Sequence, residues 1–161
     1  MKKIIVIGCP GSGKSTFSLA LGEKTSIPVY HLDMMFWNED GTTVDKETFL
    51  HRLRIVIREE CFIIDGNYSS TMDERISAAD SVFFLDYPVD ICLSGVRERI
   101  GKPRKDMPWT EREEDGEFIE YIKNFERDQR PKILELLRKY SDKSITVFKS
   151  RSDADKYLNG E

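Results

Sequence analysis

Residues 8–15 of the chain are Gly8-Cys9-Pro10-Gly11-Ser12-Gly13-Lys14-Ser15, and this stretch decides the fold. It is a complete match to GxxxxGK(S/T), the pattern of a loop that wraps phosphate groups. A strand-length apolar run, residues 3–7, comes directly before the loop, and a segment with helical character, residues 14–24, comes directly after it. The loop therefore stands in the strand–loop–helix context that the pattern requires.

The glycines and the polar residues of this loop have separate tasks in phosphate binding. Glycine lacks a Cβ atom, so the chain can curl until successive amides point at one anion, and the following helix adds its positive N-terminus. We expect Lys14 to bridge the β- and γ-phosphates of ATP, Ser15 to bind Mg²⁺ and Thr16 to assist phosphate binding. The expected nucleotide-binding residues are Gly8, Pro10, Gly11, Ser12, Gly13, Lys14, Ser15 and Thr16.

Length and composition favour one domain spanning residues 1–161, at a prior of about 150 residues per domain. The chain has 25 basic and 29 acidic side chains and a net charge of −4, which argues against a main role in coating nucleic acid or anionic membrane. No apolar run approaches the roughly 20 residues of a membrane span, and no signal-peptide pattern is visible, so we expect a cytoplasmic protein without a membrane partner. Cys9, Cys61 and Cys92 are too widely spaced to indicate a disulfide framework or a zinc site.

Five short apolar runs alternate with amphipathic segments along the chain. The runs are continuously apolar rather than alternating, which is typical of strands buried on both faces of a parallel sheet. Strand, helix, strand in regular succession predicts an α/β fold with helices on both faces of the sheet. The five runs are residues 3–7, 28–32, 61–64, 81–85 and 144–148.

Three further segments have helical patterns, and one stretch interrupts the alternation. Residues 45–59, with Asp45 as the N-cap, 89–100 and 117–140 are the predicted helices, and Pro131 is expected to kink or split the last of them. Residues 101–116 contain two prolines, a tryptophan and dense charge of both signs. This excursion is either a solvated surface loop or a helical lid over a site, since connections of this length are often functional.

Three predicted strands end at an aspartate, where a rigid strand would hold a carboxylate at the edge of the sheet. We expect Asp65 to serve Mg²⁺, mainly through its water shell. Asp86 has either a role in a turn or helix start or a metal role. Asp33 is either an N-cap or turn residue or a general base that takes the proton of an acceptor hydroxyl.

The residues around Asp33 leave two interpretations open. His31 lies inside a predicted strand and is expected to be a hydrogen-bonded core histidine, whereas His51 is expected to face solvent. Phe36 and Trp37, with the loop 38–43, either line an acceptor pocket or belong to the core.

Arginines flank the excursion, and phosphoryl transfer depends on charge neutralisation, to which one well-placed arginine contributes roughly 10³ to 10⁵ in rate. Acidic residues are equally dense here, so each arginine is either a surface ion pair or a ligand of the transferred phosphate. A mobile segment that carries arginine over the phosphates would also exclude water. The arginines are Arg97, Arg99, Arg104, Arg127 and Arg130. The catalytic candidates are Lys14, Asp33, Arg97, Arg104 and Arg130.

The phosphate loop, Ile64-Asp65-Gly66-Asn67-Tyr68, Leu85-Asp86-Tyr87-Pro88 and the arginines at 97–104 together resemble P-loop proteins of the nucleoside monophosphate kinase type. HLDMMFWN, IIDGNYSSTM, GKPRKDMPW and the NF…RP segment are similar to the bacterial DNA topology modulation protein family, which is related to adenylate kinases. The resemblance covers nearly the whole chain. It implies a P-loop NTPase three-layer sandwich with a five-stranded parallel sheet of order 2-3-1-4-5, ATP at the phosphate loop and an acceptor-binding region at 34–60.

The chain also departs from adenylate kinases at the acceptor side. Asn67-Tyr68-Ser69 stands where those enzymes have Phe-Pro-Arg, residues 34–60 lack their AMP-site pattern, and the lid has no zinc-binding cysteines. Two hypotheses follow. The first is a kinase that transfers the γ-phosphoryl group of ATP to an unidentified small-molecule acceptor, nucleotide-like or alcohol. The second is a nucleotide-dependent regulator that affects DNA topology, although no helix-turn-helix or basic stripe is visible for direct DNA binding.

Overall fold

The computed structural model describes residues Met1 to Glu161 and places a five-stranded sheet at the centre of the protein. The strands are β1 (Lys3–Gly8), β2 (Val29–His31), β3 (Phe62–Asp65), β4 (Ser81–Leu85) and β5 (Ser144–Phe148). All neighbouring strands pair in parallel, in the order β2-β3-β1-β4-β5. The predicted α/β class, the parallel sheet and the order 2-3-1-4-5 are confirmed.

The centre of the sheet is held by burial of apolar side chains on both faces. Ile4, Ile5, Val6 and Ile7 of β1 have no exposed surface, and every residue of β3 and β4 is buried as well. Burying one such side chain contributes about 1.5–3 kcal/mol, so this strand fixes the position of the loop that follows it. The outermost strand β5 is different, since four of its five residues are exposed or half-buried, as the edge of a sheet allows.

Nine helices surround the sheet, and three of them lie outside the segments predicted to be helical. Asp45 caps α3 as predicted, because its side chain accepts a hydrogen bond of 2.7 Å from the Thr48 amide. The unpredicted helices are α2, α4 and α9. The helices are α1 (Lys14–Thr25), α2 (Leu32–Phe36), α3 (Lys46–Ile57), α4 (Ser69–Ala78), α5 (Val89–Arg99), α6 (Gly116–Lys123), α7 (Phe125–Asp128), α8 (Arg130–Lys139) and α9 (Arg151–Leu158).

The helical stretch predicted for residues 117–140 is split into α6, α7 and α8, but not at Pro131. The breaks fall at Asn124 and Gln129, whereas Pro131 lies in the first turn of α8. Proline is tolerated there because the amides of a first helical turn have no partner within the helix.

The lid excursion connects α5 to α6. It forms no helix before Gly116, and a single bridge between Arg104 and Met107 is its only β-type pairing. The Gly101 amide donates a 2.6 Å hydrogen bond to the Glu111 carbonyl and so closes residues 101–111 into a loop. None of the nine helices combines the length and apolar character that a membrane span requires.

The phosphate loop packs directly against the backbone of α5. A Cβ atom on Gly11 would lie 2.0 Å from the Cys92 carbonyl oxygen, and one on Gly95 would lie 2.1 Å from the Gly11 carbonyl oxygen. Both distances are far inside van der Waals contact, so only glycine fits at either position. Gly11 also has a φ of 84°, in the left-handed region that favours glycine.

Substitution of Gly11 by alanine tests this close approach. Gly13 provides the matched control, because its φ of 96° is equally left-handed but open space surrounds it. Left-handed strain of about 1–2 kcal/mol is expected for both variants. The clash with α5 should lower the free energy of unfolding of Gly11→Ala by about 1–3 kcal/mol more, measured by urea denaturation. Equal losses in the two variants would show that the loop and the helix are not tightly packed.

Candidate active site

A cavity of about 1190 Å³ opens at the carboxyl ends of the strands, between the phosphate loop, the segments that follow β2 and β3, and the lid. This is the edge at which ligands bind in open parallel sheets. The cavity gathers most of the residues predicted from the sequence. Those that line it are Pro10, Gly11, Gly13, Lys14, Ser15, Thr16, Asp33, Asp65 and Arg104.

The phosphate loop has the shape of an anion cradle. Gly13 forms the N-cap of the twelve-residue helix α1, and no side chain caps that end or places a negative charge in its first turn. The free amides of such a helix end bind anions. The ammonium group of Lys14 lies inside the loop, where it donates to the carbonyls of Gly8 at 2.9 Å and Cys9 at 3.3 Å.

Two residues of the loop are buried beneath the cradle rather than along the cavity. The Gly8 amide donates to Asn67 Oδ1 at 3.1 Å, which ties the loop to the segment after β3. The Ser12 side chain is buried, and its hydroxyl has no hydrogen-bond partner. The Ser12 amide donates to the Cys9 carbonyl at 3.0 Å, so Gly8 and Ser12 both help to hold the shape of the loop.

Asp33 lies in the first turn of α2, directly after β2. Its carboxylate accepts a hydrogen bond of 2.5 Å from the Tyr68 hydroxyl. Burial raises the pKa of Asp33 above its ordinary value, while the hydrogen bond from Tyr68 and the charge of Lys14 oppose this rise. Burial and the neighbouring charge of Asp33 also raise the pKa of Tyr68, so the hydroxyl stays protonated as a donor. The result is a half-buried, oriented carboxylate with increased basicity.

His31 and Asp65 form a buried pair, of which Asp65 lines the cavity. The parallel register places the two residues side by side on β2 and β3, and His31 Nδ1 lies 2.6 Å from Asp65 Oδ2. Burial by itself lowers the pKa of His31, but the hydrogen bond and the charge of Asp65 raise it overall. The expectation of a hydrogen-bonded core histidine is confirmed, and His51 is exposed as expected.

Arg75 holds the loop after β3 in place, and sequence reasoning missed it. Its guanidinium is fully buried and donates to the carbonyls of Gly66 at 3.0 Å, of Tyr68 at 3.1 Å and of Asn67. Burial lowers the pKa of Arg75 to about 9, and the negative charge of Asp65 partly opposes this lowering. The loop needs this support because Tyr68 has a φ of 26°, unusual for a residue other than glycine.

Aromatic side chains connect the lid to the region predicted to bind an acceptor. Trp37 contacts Trp109 of the lid, with ring centroids 5.4 Å apart, and Phe36 packs against Tyr68 at 5.1 Å. All four rings line the cavity, and Phe36 also packs against the core. Of the predicted acceptor region, only Phe36 and Trp37 reach the cavity.

The arginines divide between the cavity and the outer surface. Arg104 and Arg99 line the cavity and share Glu111, at 3.0 Å and 3.5 Å. Arg97 lies outside the cavity, where its half-exposed side chain pairs with Glu114 at 2.7 Å. Arg127 pairs with its exposed neighbour Asp128.

Arg130 is likewise held away from the cavity. Its guanidinium makes a two-pronged contact with the Asp86 carboxylate at 2.9 Å, and Lys149 pairs with the same carboxylate at 2.5 Å. Asp86 is thus paired with two cations, and it does not line the cavity.

Comparison with known proteins establishes the fold. The structure resembles shikimate kinase from Acinetobacter baumannii in complex with shikimate, with a TM-score of 0.67, 15% identity and coverage of 99% of this chain and 90% of that one. It also resembles shikimate kinase from Bacteroides thetaiotaomicron, with a TM-score of 0.57, 20% identity and coverage of 98% and 94%. A sugar kinase from Janibacter sp. HTCC2649 has a TM-score of 0.57, 15% identity and coverage of 99% and 91%.

These similarities identify the fold as that of P-loop kinases. No protein-family model matches the chain, and a search of curated proteins gives no match either. The resemblance to the DNA topology modulation family is therefore not confirmed.

Replacement of Arg75 by methionine tests its support of the loop after β3. The change leaves three buried carbonyls without their charged donor, so the free energy of unfolding should fall by at least about 3 kcal/mol in urea denaturation. Arg54→Met is the control, because Arg54 forms an exposed pair with Glu74, and its loss should stay within about 1 kcal/mol. A stability of Arg75→Met equal to that of the control would contradict the assignment.

Proposed function

We propose that the protein is an ATP-dependent kinase that transfers the γ-phosphoryl group of ATP to a hydroxyl group of a small molecule. The observation that carries the proposal is that a phosphate loop and a half-buried carboxylate line one cavity under a lid. Lys14 and Asp33 lie close enough for the lysine charge to influence the pKa of the carboxylate. The kinase neighbours support the same class of reaction.

The chain's own residues provide binding, proton transfer and charge neutralisation. The amides of the phosphate loop and Lys14 would bind the triphosphate. Asp33 would accept the proton of the acceptor hydroxyl as its oxygen bonds to the γ-phosphorus and the bond to the ADP oxygen breaks. Lys14 would also neutralise charge on the transferred group, because Arg99 and Arg104 are already paired with Glu111. The lid, which lines the cavity, would limit transfer to water by covering the bound substrates.

The residues present fit a Mg²⁺ ion that arrives with the nucleotide. No group of three or more His, Cys, Asp and Glu side chains is arranged to hold a metal by itself. Mg²⁺ bound to ATP takes most of its ligands from phosphate and water, so a hydroxyl and one carboxylate suffice. Ser15 would bind the ion directly and Asp65 through water. When bound, the ion supplies charge neutralisation at the phosphates.

A metabolite screen tests the proposal. The release of ADP from ATP is measured with nucleosides, nucleoside monophosphates, sugars and other alcohols, one at a time. The kinase proposal requires low release with ATP alone and a sharp increase with at least one acceptor. Absence of stimulation by every compound, together with ATP-dependent binding to DNA, would instead favour the regulator hypothesis.

Lys14→Ala tests the nucleotide site. Loss of the charge-assisted contacts to the phosphates should weaken ATP binding at least about tenfold in calorimetry, with the fold retained by circular dichroism. Lys24→Ala is the control, since Lys24 is an exposed lysine at the other end of the same helix. Full ATP affinity in Lys14→Ala would refute the site.

The pH dependence of turnover tests Asp33 as the base. The carboxylate must be ionised to accept a proton, and burial raises its pKa, so kcat/KM should fall as the pH decreases through a value above that of an ordinary aspartate. Tyr68→Phe removes a hydrogen bond that lowers this pKa, so the acid limb should move to higher pH.

Two further variants complete this experiment. Asp33→Asn should reduce kcat by about 10²–10⁴ and leave ATP affinity intact. Tyr121→Phe is the control for Tyr68→Phe, because Tyr121 lines the same cavity without a hydrogen bond to Asp33. An acid limb that stays in place, or moves to lower pH, in Tyr68→Phe would exclude Asp33 as its origin.

A further inference from the structure

The end of the cavity beyond the phosphate loop, here called the acceptor end, is made of two carboxylates and four rings. Asp33 and Asp106 lie close enough to influence each other electrostatically, and the rings are in mutual contact. The residues of the acceptor end are Asp33, Phe36, Trp37, Tyr68, Asp106 and Trp109. Arg104 borders the acceptor end and lies 3.6 Å from Asp106.

The nearest arginines are already neutralised by carboxylates of the lid. Arg104 pairs with Glu111 at 3.0 Å and with Asp106 at 3.6 Å, and Arg99 pairs with Glu111 at 3.5 Å. The side chains of Arg104 and both carboxylates are at most 15% exposed. Screening by salt is weak at such exposure, so the pairs compete strongly with an incoming anion.

The other cations of the cavity lie outside the acceptor end. Lys14 and Arg151 are held by carbonyls of the phosphate loop, where a bound triphosphate would take up the charge of Lys14, and Arg112 is exposed to solvent. In the predicted acceptor region, Arg52 donates to the Met35 carbonyl and Arg54 pairs with Glu74, and no basic residue of the region lines the cavity.

Two buried donors along the cavity are available to a ligand oxygen. Arg99 Nε and Trp109 Nε1 are buried without a hydrogen-bond partner, although both residues line the cavity. Buried N–H groups are nearly always satisfied in folded proteins, so a ligand oxygen is a natural partner. The rings offer flat apolar surface beside these donors.

From these charges and contacts we infer that the acceptor is an uncharged cyclic alcohol of sugar or nucleoside size, and that the site disfavours acceptors carrying phosphate or carboxylate. The inference rests on the proposed kinase function and narrows its substrate class. An anionic group at the acceptor end would be repelled by Asp33. The adjacent cation, Arg104, is already paired with two lid carboxylates. A neutral ring would instead lie against Trp37 and Trp109 and present a hydroxyl to Asp33.

Matched pairs of compounds that differ by one anionic group test the inference. Each pair is assayed for ADP release: adenosine with adenosine monophosphate, glucose with glucuronate, and a cyclohexanetriol with its ring-carboxylated counterpart. Binding is followed separately by tryptophan fluorescence, which reports on this site because the only two tryptophans of the chain line the cavity. We expect at least one uncharged compound to stimulate ADP release or quench the fluorescence about tenfold more effectively than its anionic partner.

A charge change in the lid supplies an independent test. Glu111→Gln removes the carboxylate that Arg99 and Arg104 share, so it should shift the ratio of affinities towards the anionic member of each pair by about tenfold. Glu120→Gln is the control, because Glu120 is exposed on α6 and forms no ion pair.

The outcomes separate this inference from the kinase proposal. Preference for the anionic members in the unaltered protein overturns the inference and leaves the kinase function standing. Selective binding of uncharged members without phosphorylation supports the acceptor class and counts against the kinase. An unchanged ratio in Glu111→Gln overturns the account of the selectivity. If no compound binds or is phosphorylated, the kinase proposal and this inference fail together.

Discussion

Burial of the sheet on both faces is the constraint on which the rest of the structure depends. A polar side chain withdrawn from water needs a partner, so the interior strands carry apolar residues until they reach their carboxyl ends. There the chain places Gly8, His31 and Asp65, at the ends of three neighbouring strands. The polar residues of the candidate site are concentrated at this edge because the apolar interior of the sheet does not accommodate them.

Charges at this edge are kept in place by neighbours rather than by solvent. Lys14 and Arg75 are cations withdrawn from water, and both donate to backbone carbonyls instead of pairing with a carboxylate. Carbonyls orient a cation without cancelling its charge, whereas Arg99 and Arg104 are paired with two lid carboxylates, Glu111 and Asp106. As a result, the phosphate-loop end of the cavity is positively charged and suits a polyanion, whereas the acceptor end is close to neutral or negatively charged.

The sequence predicted the parts of the fold that follow from local pattern. The phosphate loop, the five strands and the N-cap at Asp45 could be predicted because each depends on residues adjacent in the chain. The short helices α2, α4 and α9 were not, since two buried apolar side chains in ten residues of α4, Met72 and Ile76, give little periodic signal. The sequence of α4 likewise contains no pattern that indicates a fully buried Arg75.

Long-range pairing limited the prediction of the site. The sequence shows many arginines around the lid. Whether Arg97, Arg99 or Arg130 reaches the cavity depends on the carboxylate with which each one pairs. For Arg130 this carboxylate is Asp86, which is distant in the sequence. The alternatives for Phe36 are not exclusive, because its ring packs against the core and also lines the cavity. Sequence spacing contains no information on either outcome.

The glycine contact between the phosphate loop and α5 has a mechanical consequence. Gly95 touches the loop at Gly11, and Arg99 follows one helical turn later on the same side of α5. Because no side chain separates the two backbones, the loop cannot shift towards α5 without moving that helix. The Cα atom of Arg99, about 6 Å further along the helix axis, is therefore held in a fixed relation to the loop.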